Sequence, residues 1–338
     1  MPDISEIVNI SIVVQSSALS RKGFNSLMIT GAAANFDVGF VEHEVREYTT
    51  YQAVVDDTDI LSGDVKDMAQ VAFAQTPAIP KLYISRINTT VTSTDLDAIA
   101  ANNNDWFGYA HAFATDADQT NASSWLAANK KYGFFLITDK TKDLALASNY
   151  SSIWYTDATY TSTAKWLQVA IASRILAKIP GSYTAAFKTL ELVSTTQLTG
   201  TEETVLRTNN VNQYSQVSGR SITWNGKTSN GGFIDTYIGA LYLEARMAED
   251  LFAQLASVEK IPYTNAGVGL LLSAGQARLN QSVIDGYLTD DPAPVITAPL
   301  VADISAVNKS NRLLPDITFT AYTAGAVHTV QISGTIVA

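Results

Sequence analysis

Residues 231–272, GGFIDTYIGALYLEARMAEDLFAQLASVEKIPYTNAGVGLLL, constrain the fold more than any other stretch of this chain. Apolar side chains recur at Ile234, Ile238, Leu241, Tyr242, Ala245, Ala248, Phe252 and Leu255, the three-and-four spacing of one helical face. Asp235 is placed to cap the start. Pro262 forbids helix beyond Lys260 and Ile261, because its ring removes a donor and clashes with the preceding turn. About 23 residues at 1.5 Å each make a rod of roughly 35 Å. The other face carries Glu244, Arg246, Glu249 and Asp250, so the rod is an amphipathic strut and not a membrane span. After the proline, Gly267-Val268-Gly269 reads as a turn between two helices, the second around Ala274 to Asp285. Nothing in the stretch combines a nucleophile, a base and an oxyanion donor. It is built to hold something.

Composition narrows the classes. The 338 residues, 46% of them apolar, can bury two or three real cores. Without cysteine, disulfides, thiolate-ligated zinc, iron–sulfur clusters and thiol catalysis are excluded. A net charge of −10 argues against nucleic acid, whose phosphates call for a basic footprint. The N-terminal MPDISEIVNISIVV has neither a positive leader nor a long apolar core, and no apolar run approaches about 18 residues. A soluble, acidic, cytoplasmically made protein with no membrane insertion is therefore expected.

The pattern along the chain is α/β, α+β overall. Ile10, Ile12 and Val14 alternate with Ser11 and Val13 as one strand near the N-terminus. Residues 35–70 hold nine carboxylates against Arg46 and Lys66, an acidic face either solvated or turned to a basic partner. Strand and helix signals then alternate: KLYISR, DLDAIAANN, WFGYAHAF, SSWLAANKK, YGFFLIT, a short helical KTKDLALAS, SIWYT and TAKWLQVAIASRILAK. This rhythm predicts a largely parallel sheet covered by helices. Pro180-Gly181 punctuates the end of that region. Beyond it come a strand-like AAFKTLELV, a polar TGTEETVLRTNN, and RSITWNGKTS with Asn225-Gly226 as a hairpin turn. The prolines of DDPAPVITAPL make an extended connector. ITFTAY and VHTVQISGTIV are then alternating strands, with Val330, Ile332 and Ile336 on one face of the last.

No catalytic, cofactor or metal constellation emerges. Gly226-Lys227-Thr228 has Ser221 where a phosphate loop needs glycine, and Gly267-Val268-Gly269 has Leu272 at the third glycine position of a dinucleotide fingerprint. His43, His111 and His328 are scattered without ligand spacing, and the acidic stretch lacks calcium-loop order. Trp106, Trp154, Trp166 and Trp224 fall at core or hairpin positions. An α/β enzyme would need a polar constellation at the strand ends, where Arg86, Asp116 and Thr138-Asp139 are nearest.

Terminal strands without neighbours expose unpaired amides and carbonyls. They either pair with one another inside one subunit or are lent to another copy's sheet. The blocks PGSYTAAFKTL (180–190), WNGKTSNGGFIDTYIGALYLEARM (224–247), KIPYTNAGV (260–268) and the terminal AGAVHTVQISGTIV resemble, in order and spacing, the short contractile tail sheath proteins of myovirus-type bacteriophages. They cover the C-terminal half; the N-terminal half matches in layout only. The resemblance implies a non-enzymatic virion subunit, assembled in the host cytoplasm as stacked hexameric rings around an inner tail tube. Partners would be further copies, the tube protein, and baseplate and tail terminator proteins, with no cofactor. Contraction, triggered at the baseplate, would drive the tube through the host envelope. It further implies an N-terminal exchange arm (1–20), an α/β outer domain (21–181), an inner α+β core (182–314) and a C-terminal exchange arm (315–338). Ile10, Ile12, Val14, Val330, Ile332 and Ile336 would be the inter-subunit strand residues, and Lys260 or Arg278 the tube-facing cations. The other readings are the α/β enzyme and another virion component of baseplate or capsid.

Overall fold

Leu27, Met28 and Ile29 are all fully buried although successive strand side chains point to opposite faces. A strand with both faces covered is the mark of an internal, helix-flanked sheet. The computed structural model describes residues 23–112, 115–142 and 144–334; expectations for Ile10, Ile12, Val14 and Ile336 lie outside the described residues.

In chain order the elements are β1 (Ser26–Ala32), β2 (Val45–Tyr48), α1 (Tyr51–Asp56), α2 (Asp64–Ala74), β3 (Lys81–Ile87), α3 (Ser93–Asn102), β4 (Gly108–His111), α4 (Asp116–Ala128), β5 (Tyr132–Ile137), β6 (Ser151–Tyr155), α5 (Leu167–Leu176) and α6 (Gly200–Thr208). There follow β7 (Val211–Val217), β8 (Arg220–Trp224), α7 (Ile234–Ala256), α8 (Asn265–Ile284), β9 (Val295–Thr297), α9 (Ala306–Ser310) and β10 (Thr318–Thr320). Eight strands form one sheet in the order β2-β3-β1-β4-β5-β6-β7-β8. The inner pairs are parallel; β2 on β3 and β8 on β7 are antiparallel at the two edges. The expected α/β class is thus the observed one, and two strands from beyond Pro180-Gly181 complete the sheet.

Leu27 and Ile29 pack with Val65 and Met68 of α2 and with Val169 and Ile171 of α5. Met28 faces Leu96 and Ile99 of α3 and Leu126 of α4. The first face also takes Ile234, Ile238 and Leu241 from α7, which anchors the strut to the sheet.

Several local expectations are corrected. The two-residue hairpin turn is Ser218-Gly219, between Val217 and Arg220. Asn225-Gly226 has the expected positive φ values of 74° and 67°, but it ends β8 and leads into the connection to α7. TGTEETVLRTNN is helical because Thr199 and Glu202 form a capping box, the Glu202 carboxylate accepting from the Thr199 amide at 2.8 Å. Among the described residues of 140–148 no helix forms, and Ala145 and Ala147 adopt left-handed φ values of 47° and 41°; 185–193 is bend and irregular backbone instead of strand. Asp235 does not cap α7: Phe233 occupies the cap position without a side-chain bond, and Asp235 is buried in the first turn. Gly267 and Gly269 are helical, in the opening turns of α8, which starts at Asn265 and not near Ala274. Thr264 caps it, and a Cβ on Gly267 would lie 2.0 Å from the Pro262 carbonyl oxygen.

Candidate assembly surface

The 23-residue α7 divides into two halves by burial. Ile234, Ile238 and Leu241 enter the main core, whereas Phe252 and Leu255 on the same stripe are 50% and 53% exposed. The distal half packs on α8, which folds back along it through Leu243 with Leu279. Gly275 makes room for Ile296 of the later strand β9: a Cβ there would lie 2.6 Å from the Ile296 Cδ1. Midway, the Arg278 guanidinium donates from Nε to Asp250 at 2.6 Å, both side chains largely covered. The connecting KIPYT loop is tied down where Tyr263 donates to the Leu313 carbonyl at 2.8 Å. Lys260 is exposed in that loop.

Tyr287 locks the hairpin to the body. Its hydroxyl donates to the Thr236 carbonyl at 3.0 Å. A Cβ on Gly239 would lie 2.2 Å from its ring, and one on Gly181 would lie 2.4 Å from it. The Pro180-Gly181 and Gly239 positions therefore meet on one aromatic ring, a juxtaposition that spacing along the chain does not reveal.

Beside the hairpin lies a sheet of only two strands, β9 and β10, antiparallel with Ile296 opposite Phe319. Two strands are marginal in water; the Gln276 side chain of α8 covers the β9 side, accepting from the Ile296 amide at 3.3 Å and donating to the Pro294 carbonyl at 2.9 Å, so a further strand would add at β10. Tyr287, Leu288, Phe319 and Ala321 border an apolar groove of about 500 Å³ with Leu243, Met247 and Leu251 of α7. These groove residues were not singled out from sequence, because they come from three separate elements. Only the alternation of ITFTAY pointed towards them.

The C-terminal segment crosses this region without filling it. A bridge of Leu288 with Thr323 continues the ladder beside β10, with Thr289 donating to the Tyr322 carbonyl and Ala324 to that of Tyr287, both at 2.9 Å. His328 then touches the body: its Nε2 is 2.8 Å from the Thr184 hydroxyl, and its ring meets Phe187 and Phe233 edge-on. Burial lowers the His328 pKa. Of the expected strand residues, Val330 and Ile332 are described; they lie outside any strand and are 73% and 91% exposed. Phe24, at the start of the described residues, sits 5.3 Å from the Tyr242 ring of α7.

Elsewhere the carboxylate-rich stretch folds inward on itself. Glu44, Asp57 and Asp59 converge on Arg46, with bonds of 2.7, 2.9 and 2.9 Å. Arg46 holds Glu44 below the usual carboxylate range. Among the described residues, the cluster able to present three ligand atoms to a metal is Glu42, His43 and Asp95, but Asp95 already caps α3 through Thr92. The Gly226–Thr228 loop is committed internally: Asn212 accepts from the Lys227 amide at 2.7 Å, and the Thr228 hydroxyl donates to Asn149 at 3.2 Å. Among the described residues no helix is long and apolar enough to cross a membrane.

Known proteins match this architecture. Residues 234–291, which span α7, the KIPYT loop and α8 through Tyr287, match the family described as E217 tail sheath protein gp31-like, C-terminal domain. No curated protein sequence matches the chain. In fold, the chain is similar to one in the cryo-EM structure of the anti-feeding prophage (AFP) baseplate, with TM-score 0.70, 11% identity and 93% of each chain covered. It is also similar to a chain of the PVC sheath complex, an extracellular contractile injection system in its contracted state. There the TM-score is 0.71 and the identity 10%, with 92% of this chain and 91% of that one covered. The resemblance to tail sheath proteins thus holds by sequence over the helical hairpin, and the fold shared with contractile injection systems extends over nearly the whole chain.

Proposed function

We propose that this chain is a non-enzymatic structural subunit of a contractile tail sheath, polymerising as stacked hexameric rings around an inner tube. The observation that carries the reading is the sheath-domain match over residues 234–291. The geometry supports it with matched donor and acceptor surfaces. An open two-stranded sheet stands beside an apolar groove, and a C-terminal segment presents Val330 and Ile332 to solvent. A strand from a neighbouring copy added to that sheet would satisfy its edge and bury those side chains. Residues 1–20 and 315–338 would act as the arms, 182–314 as the inner body and 21–181 as the outward part.

Of the two candidate tube-facing cations, Lys260 is free to reach outward from the tip of the hairpin. The charge of Arg278 is spent on Asp250, so Lys260 takes precedence. Baseplate and terminator proteins would cap the polymer, and shortening would bend the arm connectors while 231–272 kept its shape. The test is negative-stain microscopy of purified protein, alone and with a co-expressed tube protein. Hexagonal rings or hollow tubes are expected. A strictly monomeric protein at high concentration under both conditions would overturn the proposal.

A further inference from the structure

The turn that leads into β2 brings Glu42 and His43 against the first turn of α3, where Asp95 lies. One ligand atom from each of the three falls within 4.8 Å of the others. His43 Nε2 is 2.8 Å from Asp95 Oδ1 and 3.9 Å from Glu42 Oε1. His43 and Asp95 are 52 residues apart, so spacing along the chain hides the trio.

Each member is positioned by groups outside the trio. The His43 amide donates to the Arg86 carbonyl at 2.9 Å, and its carbonyl accepts from the Asn102 side chain at 2.8 Å. Glu42 is bridged to the backbone of Arg86. The cap on α3 uses only one oxygen of Asp95: Oδ2 accepts from the Thr92 amide and hydroxyl, which leaves Oδ1 facing His43. The Arg86 guanidinium donates to the Phe40 carbonyl and to Asn88. Among the described residues, no lysine or arginine pairs with Glu42.

The spacing discriminates between ligand classes. Two carboxylates repel a phosphate. A tetrahedral ammonium with acceptors at about 2.8 Å spreads them about 4.6 Å apart. Ligands about 2.1 Å from a tetrahedral zinc ion are about 3.4 Å apart, and the observed 2.8 and 3.9 Å bracket that value. Calcium and magnesium prefer an all-oxygen shell, whereas an imidazole suits the later first-row transition ions.

We propose that Glu42, His43 and Asp95 bind a divalent transition ion of the zinc type, with water completing the coordination. The ion clips the turn before β2 to α3. Binding at Nε2 requires that His43 carry its one proton on Nδ1, so affinity falls as pH drops and the ring takes up a second proton. The site lies in the α/β part of the chain, away from the assembly groove, and would stand if the sheath reading failed.

The test is isothermal titration calorimetry on the purified, untagged full-length chain with zinc chloride, beside magnesium chloride and calcium chloride, together with thermal melts. The chain has no cysteine, His111 is buried and His328 is held on Thr184, so competing zinc ligands are few. One zinc per chain is expected, with a Kd on the order of 10 μM, and zinc should raise the melting temperature. His43→Asn removes the imidazole but keeps a residue that tolerates the φ of 62° found there. It should weaken zinc binding at least about a hundredfold, and Glu42→Gln about tenfold. Glu42 is exposed, so its variant supplies the readout if His43→Asn does not fold. Absence of zinc binding up to about 1 mM would overturn the proposal. Zinc bound equally well by the folded variants, an adventitious ion only, would do so too, as would magnesium or calcium bound more tightly than zinc.

Discussion

Asp235 sits at the root of the helical strut with its carboxyl buried, and that burial pushes its pKa up to about 6 from an ordinary 3.8. The sign of the pH effect follows from linkage. Below pH 4 the group is protonated in both folded and unfolded chains and has no effect. Between about 4 and 6 the unfolded chain ionises first, so stability falls as pH rises, and above 6 the penalty is complete. Asp235→Asn is therefore expected to raise the melting temperature at pH 7, by at most roughly 3 kcal/mol in stability, with the gain vanishing near pH 4. Thermal melts across that range measure it. A second residue-scale prediction concerns the wedge of Tyr287. Gly239→Ala places a Cβ 2.2 Å from its ring, and overpacking of this kind costs about 1–3 kcal/mol; a denaturant titration with an unchanged midpoint would contradict it. Arg278→Glu sets a carboxylate against Asp250 and should lose about 2 kcal/mol. Unaltered stability would mean that Arg278 points outward, returning it to the tube-facing role.

At the scale of elements, α7 and the arms have opposite characters. The helix was legible because eight apolar positions keep one period over 23 residues and Pro262 sets a limit. Its first half is held by the sheet and its second by α8. The C-terminal segment holds the body at His328 and presents its apolar residues to solvent. Replacing both Val330 and Ile332 by Asp should therefore leave the melting temperature of the monomer within about 1 °C, since exposed positions contribute little to stability. The same variant should abolish polymer formation in sedimentation. An unfolded product would instead favour pairing of the arm within its own subunit. Less legible were α6, where a Thr199–Glu202 capping box outweighed a polar composition, and the hairpin turn. There Ser218-Gly219 makes the turn although Asn225-Gly226 has the stronger local signal. In both cases a local pairing decided the outcome, and composition over a longer window did not show it.

For the whole molecule, alternation of strand and helix signals was sufficient to anticipate a parallel sheet with helices on both faces. It could not show that β7 and β8 cross the Pro180-Gly181 punctuation to complete that sheet, because strand partners are chosen in space. The assembly groove was hidden for the same reason: Leu243, Leu288 and Phe319 become neighbours only through the fold. The resulting molecule has a doubly covered sheet, a helical hairpin locked to it, and a two-stranded sheet beside the hairpin. Such a body can be linked to copies of itself by exchanged strands without a cofactor. The most direct test is a cryo-EM reconstruction of the assembled protein. It is expected to show residues 329–334 of each subunit, beyond the His328 anchor, as a strand hydrogen-bonded to the β9–β10 sheet of a neighbour. Density for that segment folded back on its own subunit, with no strand crossing between copies, would contradict the account.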